Sequence, residues 1–554
     1  MMKHLLIASI LIHALTTLSA QPNFFNNKTF TQADSLRGML RPERTCYDVT
    51  FYDLHLKIDT TDKTISGYNE IHFTTINDFK RLQIDLFANM TIDSIVFKGQ
   101  TLPYERIANA VFINFPTTIV KNTKTKFKVH YHGKPPIAKR PPWDGGFTWS
   151  RDINQKWWVA VTCEGLGASV WWPNKDHLSD EPDSMSISFA IPNGYNCVSN
   201  GRLRSTQKEG DAYTRFNWFV SYPINNYDVT LSIGDYTHFS DTYKAADGDT
   251  LSLDYFVLPE NVEKAKIQFQ QVKTMLACYE KYFGKYPFWR DGYKLIETPH
   301  LGMEHQSAIA YGNHYLRGYL GGRIPDDMNW DFIIIHESGH EYFGNAISCK
   351  DHAEMWLHEG FTTYLEALYV EYTMSYLDAQ RYLEYQKRFF SHDQPIIGPR
   401  NVNFDPTSDI YFKGSWILHT LRNAINDDKL WFDILHSFFQ KYKYQTIDNA
   451  DFTNYINQRT KKDYSPFFDE YLHYVNIPKL QYKTKQKGND LQLEYKWQVE
   501  VTGFNMPIKV GNPTNYQLIH PTTNKWKTIT LKNTKQDQFK VATELFLVAT
   551  ENNQ

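Results

Sequence analysis

The chain has 554 residues, too many for one hydrophobic core, and its 42% hydrophobic and 22% charged content is that of a globular protein with about two to four domains. A net charge of −2 gives no footing for nucleic acid or for an anionic membrane surface. The aromatic share of 16% suits β-rich layers and an aromatic-lined cleft.

The chain opens MMKHLLIASILIHALTTLSAQPNFF. Lys3 precedes an apolar run from Leu5 to Leu18, and the small residues Ser19 and Ala20 follow. This is the layout of a secretory signal peptide, with cleavage expected after Ala20. The apolar run is short for a membrane span, no cysteine lies near the cut to carry a lipid, and no later stretch approaches membrane-helix length. The mature chain is therefore expected to be soluble and exported, either periplasmic or extracellular.

Residues 21–45 lack alternation and read as an extended leader. From Cys46 to about Leu258, segments such as YDVTFYDLHLKID, SGYNEIHFTTI and KFKVHYHG alternate apolar and polar residues between Gly, Pro and Asn turns. An N-terminal antiparallel β domain over 46–258 is expected. The period then changes: Val262, Ala265, Phe269, Val272, Leu276, Tyr279 and Phe283 recur at helical spacing. Helical text dominates residues 259–475. Alternation returns in LQLEYKWQVEV, MPIKVGN and WKTITLK, which predicts a small β domain over 476–554. The fold class is thus multidomain α+β. Five cysteines are widely spaced without a CxxC, so one disulfide is open to the chain but no cysteine zinc site is.

The helical region contains HESGHEYFGN and, further on, WLHEGFTTYLE. His336 and His340 are four apart, so on a helix their side chains differ by about 40° and converge on one side. Zinc binds imidazole readily, and HExxH on a helix is a recurring way to present it. With 20 His in the chain, only roughly 0.04 chance matches are expected, which disfavours two incidental surface histidines. Eighteen residues separate His340 from Glu359, room for a second helix that brings a third ligand. Two His and one Glu leave the fourth position of one zinc ion free for water, the mark of a catalytic site. Glu337, next to the first ligand, is placed to take the proton of that water and pass it to a leaving amine. Glu366 lies on the face of Glu359, where it reads equally as a partner of a ligand His or as a surface ion pair.

HESGHEYFGN followed by WLHEGFTTYLE resembles the aminopeptidase N family of gluzincin metallopeptidases, and the order of strand-rich and helical text extends the likeness over most of the mature chain. The resemblance implies a thermolysin-like catalytic domain and peptide substrates with a free N-terminus. In the family a Gly-x-Met-Glu-Asn stretch binds the substrate's α-ammonium through its Glu. HLGMEHQSAIAYGN keeps Met303 and Glu304 but places Leu301 and His305 at the Gly and Asn, so the amine anchor carries over to Glu304 while the backbone grip differs. VTCEGLGASVWWPNKD implies a second amine partner in Glu164, with Trp171 and Trp172 as core. SDIYFKGSWILHTLR resembles the stretch whose Tyr donates to the oxyanion, which puts Tyr411 in that role. Many members carry a long helical C-terminal domain over the cleft, so an open cleft suited to larger peptides is expected here. The competing readings are an endopeptidase or an epoxide hydrolase on the same scaffold, which Glu304 argues against, and a non-catalytic peptide-binding protein.

Overall fold

A computed structural model describes residues 23–553. The signal-peptide reading of 1–20 lies outside the described residues.

The N-terminal region is built on an eight-stranded sheet ordered Arg202–Glu209, Tyr213–Val220, Ser184–Pro192, Tyr47–Asp59, Thr64–Thr75, Lys124–Gly133, Met90–Phe97 and Gln100–Thr101. Neighbours are antiparallel except Tyr47–Asp59 and Ser184–Pro192, which run parallel with Leu54 opposite Ile187. The alternation read from the sequence is the pleat itself: Leu54, Leu56 and Ile58 are buried, while the residues between them are half-buried or exposed. Three- and four-stranded sheets complete this layer. Trp171 and Trp172 are fully buried between the sheets.

The leader is not extended. Gln32–Gly38 and Pro42–Thr45 are helical, and the first carries a reciprocal cap between Thr31 and Asp34. Arg44, fully buried, pairs with Asp85 of the N-terminal sheets at 2.7 Å. A segment this short is helical because tertiary contacts hold it, and its lack of long-range periodicity hides that.

The expected boundary at 258 also shifts. The hairpin Thr237–Lys244 and Thr250–Val257 belongs to a five-stranded sheet with Tyr293–Glu297, Ile309–Tyr311 and Gly302–Met303, its second strand parallel to Tyr293–Glu297. Leu251 and Leu253 therefore join the core of the helical region, not that of the N-terminal sheets. Alternation reports the pleat of a strand, not its partner. The helical stretch that follows breaks at Phe269–Gln270 into Val262–Gln268 and Gln271–Phe283.

The C-terminal strands form a four-stranded and a three-stranded sheet that share one continuous core with the helices. The Tyr471 hydroxyl donates to the Leu547 carbonyl at 2.6 Å, and the Leu547 amide donates to Thr420 Oγ1 at 2.9 Å. All five cysteines are buried and free. No helix among the described residues is long and apolar enough to cross a membrane.

Candidate metal centre and cleft

The helix Phe332–Gly339 starts at Asp331, whose carboxylate accepts the Ile333 and Ile334 amides at 3.0 and 3.3 Å. Tyr311, Gln268 and Asn313 also donate to that carboxylate, so the cap is fixed from the sheet side. Every residue of the helix is buried, with Ile333, Ile334 and Ile335 packed in the core. Beyond His340 the chain turns sharply at Gly344, whose φ of 131° favours glycine, and a Cβ there would sit 3.0 Å from His340 Nδ1. Glu359 stands in the first turn of a second buried helix, Trp356–Thr373.

His336 Nε2 and His340 Nε2 are 3.2 Å apart, and each is within 3.4 Å of Glu359 Oε2. Ligand bonds of about 2.0–2.1 Å at tetrahedral angles require ligand atoms about 3.3–3.4 Å apart. The triangle fits zinc. Glu359 Oε2 is buried and accepts no hydrogen bond that satisfies it, the state expected of an atom reserved for a cation. Both imidazoles are fixed from behind. His336 Nδ1 lies 2.6 Å from Glu366 Oε1, and Tyr382 donates to the other oxygen of Glu366 at 2.5 Å. His340 Nδ1 lies 3.0 Å from the Phe343 carbonyl, with Thr362 Oγ1 beside it at 3.2 Å. Such outer contacts select the tautomer that leaves Nε2 free for the metal. Glu366 is fully buried, which removes the surface ion-pair reading.

Glu337, Glu304, Glu164 and Tyr411 line the same cleft as the three ligands, a space of about 500 Å³. Burial pushes Glu337 up to about 7, against the pull of His336, with Glu304 adding to the rise. A carboxyl poised there exchanges protons near neutral pH. Carboxylate oxygens of Glu304 and Glu337 and a nitrogen of His340 lie within 4.8 Å of one another. Burial raises Glu304 and the half-buried Glu164, and Glu304 raises Glu164 further. Two carboxylates held together and away from water favour a bound cation. Tyr411 precedes the helix Phe412–Ile425, and its ring stacks on His336 with centroids 6.0 Å apart. Burial, with Glu359 and Glu164 nearby, holds its hydroxyl well above the usual phenol range, so it remains a donor.

Two residues that brace the cleft, Asn345 and Glu341, had no signal in the sequence motifs. Asn345 donates to the Glu304 carbonyl at 2.7 Å, and Glu341 accepts the Ser307 amide at 2.8 Å and the Tyr286 hydroxyl at 2.8 Å. They tie the segment that carries Glu304, just after the strand Gly302–Met303, to the end of the motif helix. The only hint was position, since both follow His340 in text that must be buried.

Residues 267–471 match the Peptidase family M1 domain. Among curated proteins, the chain is 22% identical over 478 residues to "Probable aminopeptidase 2" of Sulfurisphaera tokodaii, covering 83% of this chain and 58% of that protein. It is 25% identical to endoplasmic reticulum aminopeptidase 1 of Mus musculus, covering 50% of this chain and 31% of that protein. The chain thus spans little more than half of the first relative and about a third of the second. Among solved structures, an M1 zinc metallopeptidase variant from Deinococcus radiodurans bound to a Tyr-Ser-Ala substrate superposes with a TM-score of 0.65 at 19% identity, covering 79% of this chain and 97% of that one. The motif and the matched domain agree with these likenesses, and together they support an aminopeptidase N-like gluzincin, with residues 267–471 as the M1 peptidase domain.

Proposed function

We propose that the protein is an exported zinc aminopeptidase that removes the N-terminal residue from peptides. The observation that carries this reading is the placement of Glu304 and Glu164 in one cleft with His336, His340 and Glu359. An α-ammonium held between the buried Glu304 and the half-buried Glu164 sets the first peptide bond at a fixed distance from the metal. The relatives' names and the tripeptide on the structural neighbour support the same substrate class.

His336, His340 and Glu359 would hold one zinc ion, which would supply Lewis acidity toward the scissile carbonyl and toward water. Glu337 accepts the proton of the attacking water and delivers it to the departing amine nitrogen. Tyr411 donates its hydroxyl proton in a hydrogen bond to the oxygen on which negative charge develops. Glu304 and Glu164 hold the substrate throughout. No observation favours endopeptidase, epoxide-opening or purely binding roles.

The test measures release of a chromogenic amine from Ala, Leu and Arg amides, with the amine free or acetylated, by residues 21–554. Turnover is expected only with free amines and is expected to disappear with chelator. Glu337→Gln is expected to lower kcat by about 10²–10⁴-fold, and Tyr411→Phe by about 10²–10³-fold. Equal turnover of acetylated substrates would move the reading to an endopeptidase. Export is tested separately, by whether full-length protein in a bacterial host is recovered outside the cytoplasm with its N-terminus at Gln21.

A further inference from the structure

Every Lys or Arg is absent from the cleft wall except Arg323. The other charged side chains there are the carboxylates of Glu164, Glu304, Glu337, Glu359 and Asp405. Arg323 lies over the ring of Tyr319 at 4.3 Å and faces Phe389 at 5.8 Å. Among the described residues no carboxylate stands within ion-pairing reach of it. Ring faces hold a guanidinium in place but satisfy none of its five N–H donors.

The position of Arg323 along the cleft follows from the motif helix. His340 is one turn beyond His336, and Phe332 is one turn before it. Glu304 gathers with Glu337 and His340, at the far end of the helix. The Phe332 ring stacks on His336 at 5.2 Å, Tyr319 packs edge-on to Phe332 at 5.7 Å, and Arg323 caps Tyr319. The strand Gly302–Met303, which Glu304 follows directly, runs back along the same axis, with Gly302 against Glu337 and Ile333. A peptide anchored by its amine at Glu304 and laid along this strand therefore points its departing side at Arg323.

The loop that presents Arg323 is built for rigidity. His314, Tyr315, Leu320 and Arg323 all have φ between 50° and 61°, a left-handed backbone that side chains rarely adopt. Asn313 pins the loop by donating to the Leu316 and Gly318 carbonyls and accepting the Leu320 amide, and Arg317 donates to the Met328 and Pro325 carbonyls. Such backbone persists where its surroundings over-determine it, and it clusters at ligand-contacting segments.

We infer that Arg323 is a specificity-determining residue that receives a carboxylate on the departing side of the substrate, so that the cleft favours short peptides ending two or three residues from the amine anchor. The inference rests on the aminopeptidase reading. The cleft has opposite charge at its two ends, carboxylates for the ammonium and a guanidinium for the carboxylate, which matches a short zwitterionic peptide of about 3.4 Å per residue. A planar guanidinium takes a carboxylate bidentately, which a solvated lysine does not reproduce. The length preference runs opposite to that expected from an open cleft.

The carboxylate has two sources, the chain terminus and an acidic side chain, and the experiment separates them. Tri-alanine, its C-terminal amide and Ala-Glu-Ala amide are titrated calorimetrically into the zinc-loaded full chain carrying Glu337→Gln, with and without Arg323→Gln. Tri-alanine is expected to bind about fivefold to tenfold more tightly than its amide, and Arg323→Gln to bring the two within about twofold. Tight binding of Ala-Glu-Ala amide that Arg323→Gln removes would extend the inference to acidic side chains. Equal binding of all three peptides to the Arg323-containing chain would overturn it, as would a preference for the free acid that survives Arg323→Gln. Arg323→Lys provides a second variant should Arg323→Gln fail to fold, and a preference undiminished by the lysine also counts against bidentate capture. Alanine p-nitroanilide, which lacks a carboxylate, is assayed with the unaltered chain. Failure there would sink the aminopeptidase reading and leave the binding ratio as an independent result.

Discussion

Glu366 fixes His336 from behind, and Tyr382 fixes Glu366 in turn. Glu366→Gln is expected to weaken zinc affinity by about 10–100-fold, read by competition with a chromogenic chelator. Unchanged affinity would mean that helix packing alone orients the ring. That His336 and His340 would face one another was legible in the sequence, because a spacing of four on a helix is local geometry. Glu366 was half legible: its spacing gave the face, but whether that face met solvent or His336 depended on a second helix folding against the first. Asn345 and Glu341 were illegible, since their partners Glu304, Ser307 and Tyr286 lie 34 or more residues upstream.

The helices Trp356–Thr373 and Phe412–Ile425 cross with backbone almost in contact. A Cβ on Gly360 would stand 3.1 Å from Gly414 Cα, and one on Gly414 would stand 2.9 Å from Gly360 Cα. Neither backbone has room to retreat, because both helices are buried along nearly their whole length. The crossing sets Tyr411, just ahead of the second helix, against Glu359 in the first turn of the other. Gly414→Ala is expected to cost about 1–3 kcal/mol of stability, read by urea unfolding, and to lower kcat in protein that remains folded. Lost stability with unchanged kcat would show that Tyr411 is placed by its own loop. At this scale the sequence was a sound guide to element type and a weaker one to partnership. The strand-rich reading of 46–258 took in residues 237–257, yet nothing in it told which sheet that hairpin would join. The helices of the leader were missed although Thr31 and Asp34 stand at capping-box spacing, a signal overshadowed by the absence of any apolar period.

The leader ties together parts of the molecule that lie far apart in the chain. Arg37 donates to the Gly165 carbonyl at 2.7 Å, next to Glu164, and the Asp34 carbonyl accepts the Asn403 amide at 3.0 Å on the segment leading to Tyr411. Phe25 and Phe30 pack edge-on against Phe404 in the same segment. Arg37→Ala is expected to raise KM for free-amine substrates about fivefold, the loss of one hydrogen bond at the wall that carries Glu164, with little change in kcat. An unaltered KM would leave the leader a purely structural strap. Arg44→Ala strands the buried Asp85 carboxylate and is expected to cost about 3–5 kcal/mol, read as a lower unfolding midpoint. Glu164 follows Cys163 in the core of the N-terminal sheets, and Glu304 follows Met303, a residue of the catalytic five-stranded sheet that packs into that same core. The proposed amine site thus lies at the joint where the catalytic sheet meets the N-terminal core, while the helices that present His336, His340 and Glu359 pack in the other core. Gentle denaturation that loosens the joint first would leave a metalloprotein that has forgotten which end of a peptide it should hold.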